Sequence, residues 1–126
     1  MQNSSLIASK IVNFSEARQL AEKIKNKGNT IGFTNGCFDI LHYGHIDYLT
    51  KAADLCDVLI IGVNSDDSVK KLKGRHRPIN DQKSRTFILA ALTCISYVVI
   101  FEQDTPYELI NQIQPGILIK GGDYTI

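Results

Sequence analysis

The sequence predicts an α/β fold, a Rossmann-like doubly wound parallel sheet with helices on both faces. Short β-branched runs alternate with helical patterns at the spacing of βαβ units, and such units pack right-handed with helices on either side of a parallel sheet. The run Val58-Leu59-Ile60-Ile61-Gly62-Val63 is apolar without alternation, as in a strand hidden on both faces. Three segments also follow strand ends: the turn after Thr34, Asn64, and Gly121-Gly122-Asp123. Ligands of an open α/β sheet bind beyond the carboxyl ends of its strands, so these segments converge on one crevice.

Taken in order, residues 1–14 are weakly patterned and read as an arm. Ser15 is a candidate cap for a helix whose Ala17, Leu20, Ala21 and Ile24 follow the i, i+3, i+4, i+7 rule. Gly28 ends it, and Thr30 to Thr34 forms the first strand. Gly36 allows a tight turn into a helix over about 45–56, with Ile46, Leu49 and Ala53 on its buried side. After the apolar strand, Ser65 caps a short helix holding Val69 and Leu72. A basic loop precedes a helix begun by Asn80 or Asp81. Its run from Phe87 to Leu92 is apolar on most sides, which predicts deep burial or a subunit contact. Tyr97 to Phe101 is another strand. Thr105-Pro106-Tyr107-Glu108 reads as a capping box, its helix ends at Pro115-Gly116, and Ile117 to Lys120 makes the last strand.

A length of 126 residues bounds the chain to one domain with a substantial core. Its 44% hydrophobic and 21% charged residues are those of an ordinary globular protein, and a net charge of +1 offers no global attraction to nucleic acid or an acidic membrane. Cys37, Cys56 and Cys94 are odd in number and widely spaced, unlike a disulfide framework. Neither a signal peptide nor an apolar run near the roughly 18 residues of a membrane span is visible, so the expected setting is cytoplasmic, with reduced thiols.

The chemistry concentrates in Gly32-Phe33-Thr34-Asn35-Gly36-Cys37-Phe38-Asp39-Ile40-Leu41-His42-Tyr43-Gly44-His45. This is a strand end, a turn and a helix entrance carrying two histidines. Free N–H groups and the positive dipole end favour an anion there, and Gly44 admits close backbone approach. Metal binding is the rival reading, because Cys37, Asp39, His42 and His45 are all ligand types. The paired spacing of a zinc site is missing, however, and no metal site is predicted. Lys70, Lys71, Lys73, Arg75 and Arg77 cluster within eight positions. Such a run is most simply a solvated face, or else a lid over a phosphate-rich pocket. Arg85 could pair with Asp81 on the surface. The paired glycines after Lys120 make either a tight turn or a backbone platform for a nucleobase edge.

Gly36-Cys37-Phe38-Asp39 followed by His42-Tyr43-Gly44-His45 resembles the signature of the cytidylyltransferase-like nucleotidyltransferases. The resemblance covers most of the chain from about residue 12. It implies transfer of a nucleotidyl group from a nucleoside triphosphate to a phosphorylated small molecule, with pyrophosphate released and magnesium as cofactor. By the same likeness, His42 and His45 are catalytic, and Thr34, Asn35, Gly36, Cys37, Phe38, Asp39, Gly44, Arg85, Lys120, Gly121, Gly122 and Asp123 bind the nucleotide, Arg85 at the triphosphate. Asn64, Asp66 and Arg77 bind the second substrate. The blocks Gly62-Val63-Asn64-Ser65-Asp66, Arg77-Pro78-Ile79-Asn80 and Lys120-Gly121-Gly122-Asp123-Tyr124 are most similar to the branch that makes ADP-heptose from ATP and a heptose 1-phosphate for lipopolysaccharide or surface-glycan precursors. A CTP-dependent enzyme acting on glycerol 3-phosphate or ethanolamine phosphate, and a non-catalytic nucleotide-binding module, remain as alternatives. The family pattern also has a serine/threonine run near its end, and this single domain, 1–126, stops at Thr125-Ile126 without it. A homodimer is implied by family analogy and the apolar helix.

Overall fold

The structure is a computed structural model that describes residues 2–120. Its strands are β1 (Ile11–Val12), β2 (Ile31–Gly36), β3 (Val58–Asn64), β4 (Tyr97–Phe101) and β5 (Ile117–Leu118), and its helices are α1 (Asn3–Ala8), α2 (Ala17–Asn26), α3 (Tyr43–Ala53), α4 (Asp66–Lys73), α5 (Gln82–Ala90) and α6 (Tyr107–Ile113). All strand pairings are parallel, in the order β1-β4-β3-β2-β5. Gly36 lies opposite Val63 and Asn64 opposite Phe101, so β2, β3 and β4 finish at one level. From β2 the chain winds outward through β3 and β4, then returns to β2's other side with β5. Such a reversal of winding marks the crevice of a doubly wound sheet.

The two faces of β3 explain why its sequence does not alternate. Leu59, Ile61 and Val63 enter one core with Leu49 and Ala52 of α3 and Leu89 and Ala90 of α5. Ile60 enters the other with Ala17, Ala21 and Ile24 of α2 and Leu109 and Ile113 of α6. Gly62 points to that second side, where a Cβ would stand 2.8 Å from the ring of Phe33. Burial on both faces is the environment that rewards an unbroken apolar run.

Several local expectations need correction. The first residues hold α1 and edge strand β1, whose Ile11 and Val12 pair with Val98 and Val99. Ser15 lies inside a 3-10 turn, Phe14–Glu16, that Asn13 begins in a capping box with Glu16, and the N-cap of α2 is Glu16, with no side-chain bond. On α3 Leu49 is buried as expected and Ala53 packs partly buried against the same core, while Ala52, not among the expected positions, is fully buried and Ile46 is only partly so. Leu72 is exposed while Val69 is buried. Phe87 and Ile88 are exposed, and Leu89 and Ala90 carry the burial. No capping box forms before α6; Pro106 takes the cap position and Thr105 Oγ1 accepts from the Tyr107 N–H. Ser65 and Asp81 cap α4 and α5 through side-chain oxygens, as expected. No helix among the described residues is long and apolar enough to cross a membrane.

Candidate active site

β2 delivers the chain to the crevice, and Phe38 turns it. Phe38 has φ +50, the left-handed region that bulky residues rarely adopt. The left-handed turn thus belongs to Phe38. Gly36 matters for a different reason: a Cβ there would stand 3.0 Å from Cε2 of the Phe38 ring.

His42 is the N-cap of α3. Its Nδ1 accepts the Gly44 N–H at 3.0 Å, and the Nδ1 of His45 accepts the His42 N–H at 3.2 Å. Both imidazoles therefore satisfy donors that an α-helix leaves unpaired at its start. With each Nδ1 accepting, the neutral rings carry their protons on Nε2. The rings lie 4.2 Å apart between centroids, tilted by 45°. A Cβ on Gly44 would come within 2.8 Å of the His42 ring. The glycine between the histidines is there to leave room for the ring that caps it.

Asp39 ties the turn to a segment 38–41 residues ahead. Its carboxylate accepts from Arg77 Nη1 at 3.1 Å, the Ile79 N–H at 2.9 Å and the Asn80 N–H at 2.8 Å, while Asn80 Nδ2 donates to the Asp39 carbonyl. Burial pushes its pKa up, but the two backbone N–H groups and the Arg77 guanidinium outweigh it and hold the carboxyl below its ordinary value. Asp39 thereby acts as an anchor that presents Arg77 at the cleft.

Arg85 is placed differently from the resemblance's expectation and from a surface pair with Asp81. It is 1% exposed. Its Nε donates to the Asn80 carbonyl at 3.0 Å, Nη1 to the carbonyls of Cys37 and Asn64 at 2.8 and 2.7 Å, and Nη2 to Asp66 at 2.7 Å. A triphosphate would have to displace these bonds. The guanidinium instead pins the ends of β2 and β3 and the 77–80 segment behind the cleft. Asp66, expected at the second substrate, is its ion-pair partner. Thr34 is fully buried, its hydroxyl bonded to that of Tyr48, and so lies beneath the site.

The cleft itself measures about 450 Å³ and is lined by Asn35, Gly36, Cys37, Phe38, Asp39, Ile40, His42, His45, Tyr48, Asn64, Lys73 and Arg77. It gathers the histidine turn, the end of β3 and the basic run around one space. Asn64 is buried and donates to Ser68 Oγ at 2.9 Å. Lys73 and Tyr48 are lining residues that the sequence reading left out. Lys73 was hidden in a run of similar lysines, and only Lys73 and Arg77 of that run line the cleft. Tyr48 sits three residues beyond His45 on the same helical face. The Cys37 thiol is pushed up by burial; Lys73 and Arg85 pull it back only in part. Lys120 is exposed just past β5, while Gly121, Gly122 and Asp123 lie outside the described residues.

A family model described as Cytidylyltransferase-like matches residues 33–126. The bifunctional protein HldE of Aliarcobacter butzleri is 60% identical over 116 residues, covering 92% of this chain and 24% of that protein. HldE of Helicobacter hepaticus is 55% identical over 118 residues, covering 94% of this chain and 24% of that protein. The chain thus spans about a quarter of the length of these curated relatives. The crystal structure of a lipopolysaccharide core biosynthesis protein from Thermoplasma volcanium matches with a TM-score of 0.65 at 30% identity, over 72% of this chain and 73% of that one.

Proposed function

The chain belongs to the cytidylyltransferase-like family of nucleotidyltransferases, and from that premise we propose that it transfers AMP from ATP to D-glycero-β-D-manno-heptose 1-phosphate, forming ADP-heptose and pyrophosphate. The observation that carries the chemistry is the pair of imidazoles at the start of α3, both with Nδ1 committed to backbone N–H groups. That commitment restrains both rings and assigns the proton of each neutral imidazole to Nε2, the donor this reading uses.

In this reading a phosphate oxygen of the acceptor attacks the α-phosphorus of ATP in line, the bond to the bridging oxygen breaks, and pyrophosphate departs. No covalent intermediate on the protein is needed. Catalysis by positioning and charge stabilisation is the general rule for phosphoryl transfer. His42 and His45 donate to phosphoryl oxygens, with the positive end of α3 behind them. Lys73 and Arg77 bring positive charge from the opposite segment of the cleft. Asp39 is the only carboxylate lining the cleft among the described residues, and three N–H donors hold it. Magnesium prefers carboxylates with open geometry or phosphate oxygens, so these residues do not fit a protein-held ion; magnesium enters on the triphosphate as part of the substrate.

The choice of ATP and heptose rests on the sequence blocks at 62–66 and 77–80 and at 120–124. The likeness to HldE proteins and to a lipopolysaccharide core biosynthesis protein supports the coarser part of this reading, a nucleotidyltransferase in heptose or lipopolysaccharide synthesis. Pyrophosphate release by the purified chain tests it, with ATP or CTP against heptose 1-phosphate or glycerol 3-phosphate. Release only with ATP plus the heptose supports the reading. Release with CTP and glycerol phosphate moves the reaction to the other branch, and nucleotide binding without turnover in every pairing overturns the catalytic assignment.

A further inference from the structure

We propose that Phe38 is a positioning residue that fixes the orientation of the His45 imidazole, a role that rests on His45 acting as a donor in the proposed reaction. A phenylalanine with φ +50 is an uncommon use of the left-handed region, and strained backbone of this kind persists where the surroundings hold it in place and clusters at active sites. Here the surroundings are specific. The strained turn directs the ring back over Gly36, where any side chain would meet it. The ring is buried to 9% exposure in the core that holds Leu49, Ala52 and Val63. From that seat it meets His45 edge-to-face, with centroids 5.9 Å apart and an interplanar angle of 63°.

His45 is thus held on more than one side. The His42 N–H binds its Nδ1, the His42 ring lies against it, and the Phe38 ring sets its tilt. A hydrogen bond to Nδ1 restrains the imidazole about its Cβ–Cγ bond but tolerates a range of tilt; a rigid ring packed edge-to-face against it narrows that range. Aim at a phosphoryl oxygen then depends on Phe38 although Phe38 donates nothing. The same geometry explains why a β-strand ends in glycine two residues before an aromatic in a conformation usually left to glycine.

The test is the variant Phe38→Leu, which keeps an apolar side chain in the core and removes the ring. The chain has three histidines, so single substitutions assign each imidazole signal by NMR. The expected result is a displaced Cε1–H resonance of His45, because the ring current of Phe38 is lost, together with a kcat lowered about ten-fold or more and a KM for ATP changed by no more than about two-fold. Ile95→Ala, a truncation in the same core remote from the histidines, lowers Tm but moves neither the resonance nor kcat. Gly36→Ala, which pushes on the Phe38 ring, displaces the His45 resonance in the same experiment and decides the matter if Phe38→Leu does not fold. An unchanged His45 resonance and kcat in the folded variants overturn the proposal. Equal losses in Phe38→Leu and Ile95→Ala also overturn it, because the effect is then loosening of the core. A wild-type chain that releases no pyrophosphate refutes the reaction above, while the resonance still decides whether Phe38 orients His45.

Discussion

The backbone N–H of Gly44 donates to Nδ1 of His42 at 3.0 Å, and a Cβ on Gly44 would stand 2.8 Å from Cε1 of the same ring. One residue therefore supplies the donor that orients the imidazole and the space in which it sits. Gly44→Ala cannot keep both. Alanine favours a helix over glycine by about 1 kcal/mol, which offsets the lost hydrogen bond of similar size. The expected outcome is a Tm within a few degrees of wild type and a kcat lowered about ten-fold or more. A substantial Tm loss with unchanged kcat counts against this geometry.

His42 has two separable jobs, capping α3 and donating from Nε2. Asparagine is among the preferred N-caps but does not reach as far as an imidazole. His42→Asn should hold the fold while lowering kcat by about ten- to hundred-fold, the loss of one charge-assisted bond of roughly 1.5–3 kcal/mol. His42→Ala should add a capping penalty of about 1 kcal/mol, read by thermal melting. Similar melting of the two variants would deny the capping role.

The sheet was legible because β3 carries its environment in its composition: seven residues buried almost throughout leave few places for a polar side chain. The histidine turn was legible because the residues that define it are contiguous. What could not be read was held by long-range contacts. Arg85 looks like any arginine early in a helix, and its carbonyl partners at Cys37 and Asn64 are 48 and 21 residues away. Edge strand β1 has two residues, too few for a period. The positive φ at Phe38 goes with packing of its ring against Gly36 and His45, and a phenylalanine in a sequence gives no hint of it. Lys73 could not be told from Lys70 and Lys71 until the end of α4 was placed beside the cleft.

Asp39 yields a prediction about acid stability. Its carboxyl lies below the ordinary value in the folded chain, so its contribution is present above the unfolded-state pKa and lost as pH falls through the folded one. Asp39→Asn puts an amide among the N–H groups of Arg77, Ile79 and Asn80, and should cost about 1.5–3 kcal/mol at pH 7. The gap in Tm between the two proteins should be constant from pH 7 to about 5 and narrow below the usual carboxylate range. A gap that stays constant into strong acid would mean the charge on Asp39 contributes nothing.

Arg85 is expected to act on stability before affinity. Arg85→Met leaves three carbonyls and the Asp66 carboxylate without their donor; the guanidinium is fully buried while Asp66 is partly exposed, so the loss should fall at the lower end of the buried-pair cost, about 3 kcal/mol. Melting should fall by about 10 °C or more. Arg85→Lys, which keeps charge but has no planar fork, should recover only part of this. If Arg85 instead held the triphosphate, the Lys variant would melt like wild type and bind ATP weakly, an outcome calorimetry separates from the first.

Lys73 and Cys37 give a test of the cleft that needs no turnover. Burial raises the Cys37 thiol and Lys73 opposes it. Removing that positive charge in Lys73→Gln should raise the thiol further and slow alkylation by iodoacetamide at a fixed pH, since the thiolate is the nucleophile. Cys56 and Cys94, read by mass spectrometry in the same sample, should label at unchanged rates. ATP should protect Cys37 in the wild type by occupying the cleft it lines, and protect it less in Lys73→Gln, where a cation facing the phosphates is missing. Because the readout is a rate at one thiol, it separates nucleotide binding from catalysis. Unchanged Cys37 labelling with saturating ATP would place the nucleotide elsewhere, whatever the activity assay shows.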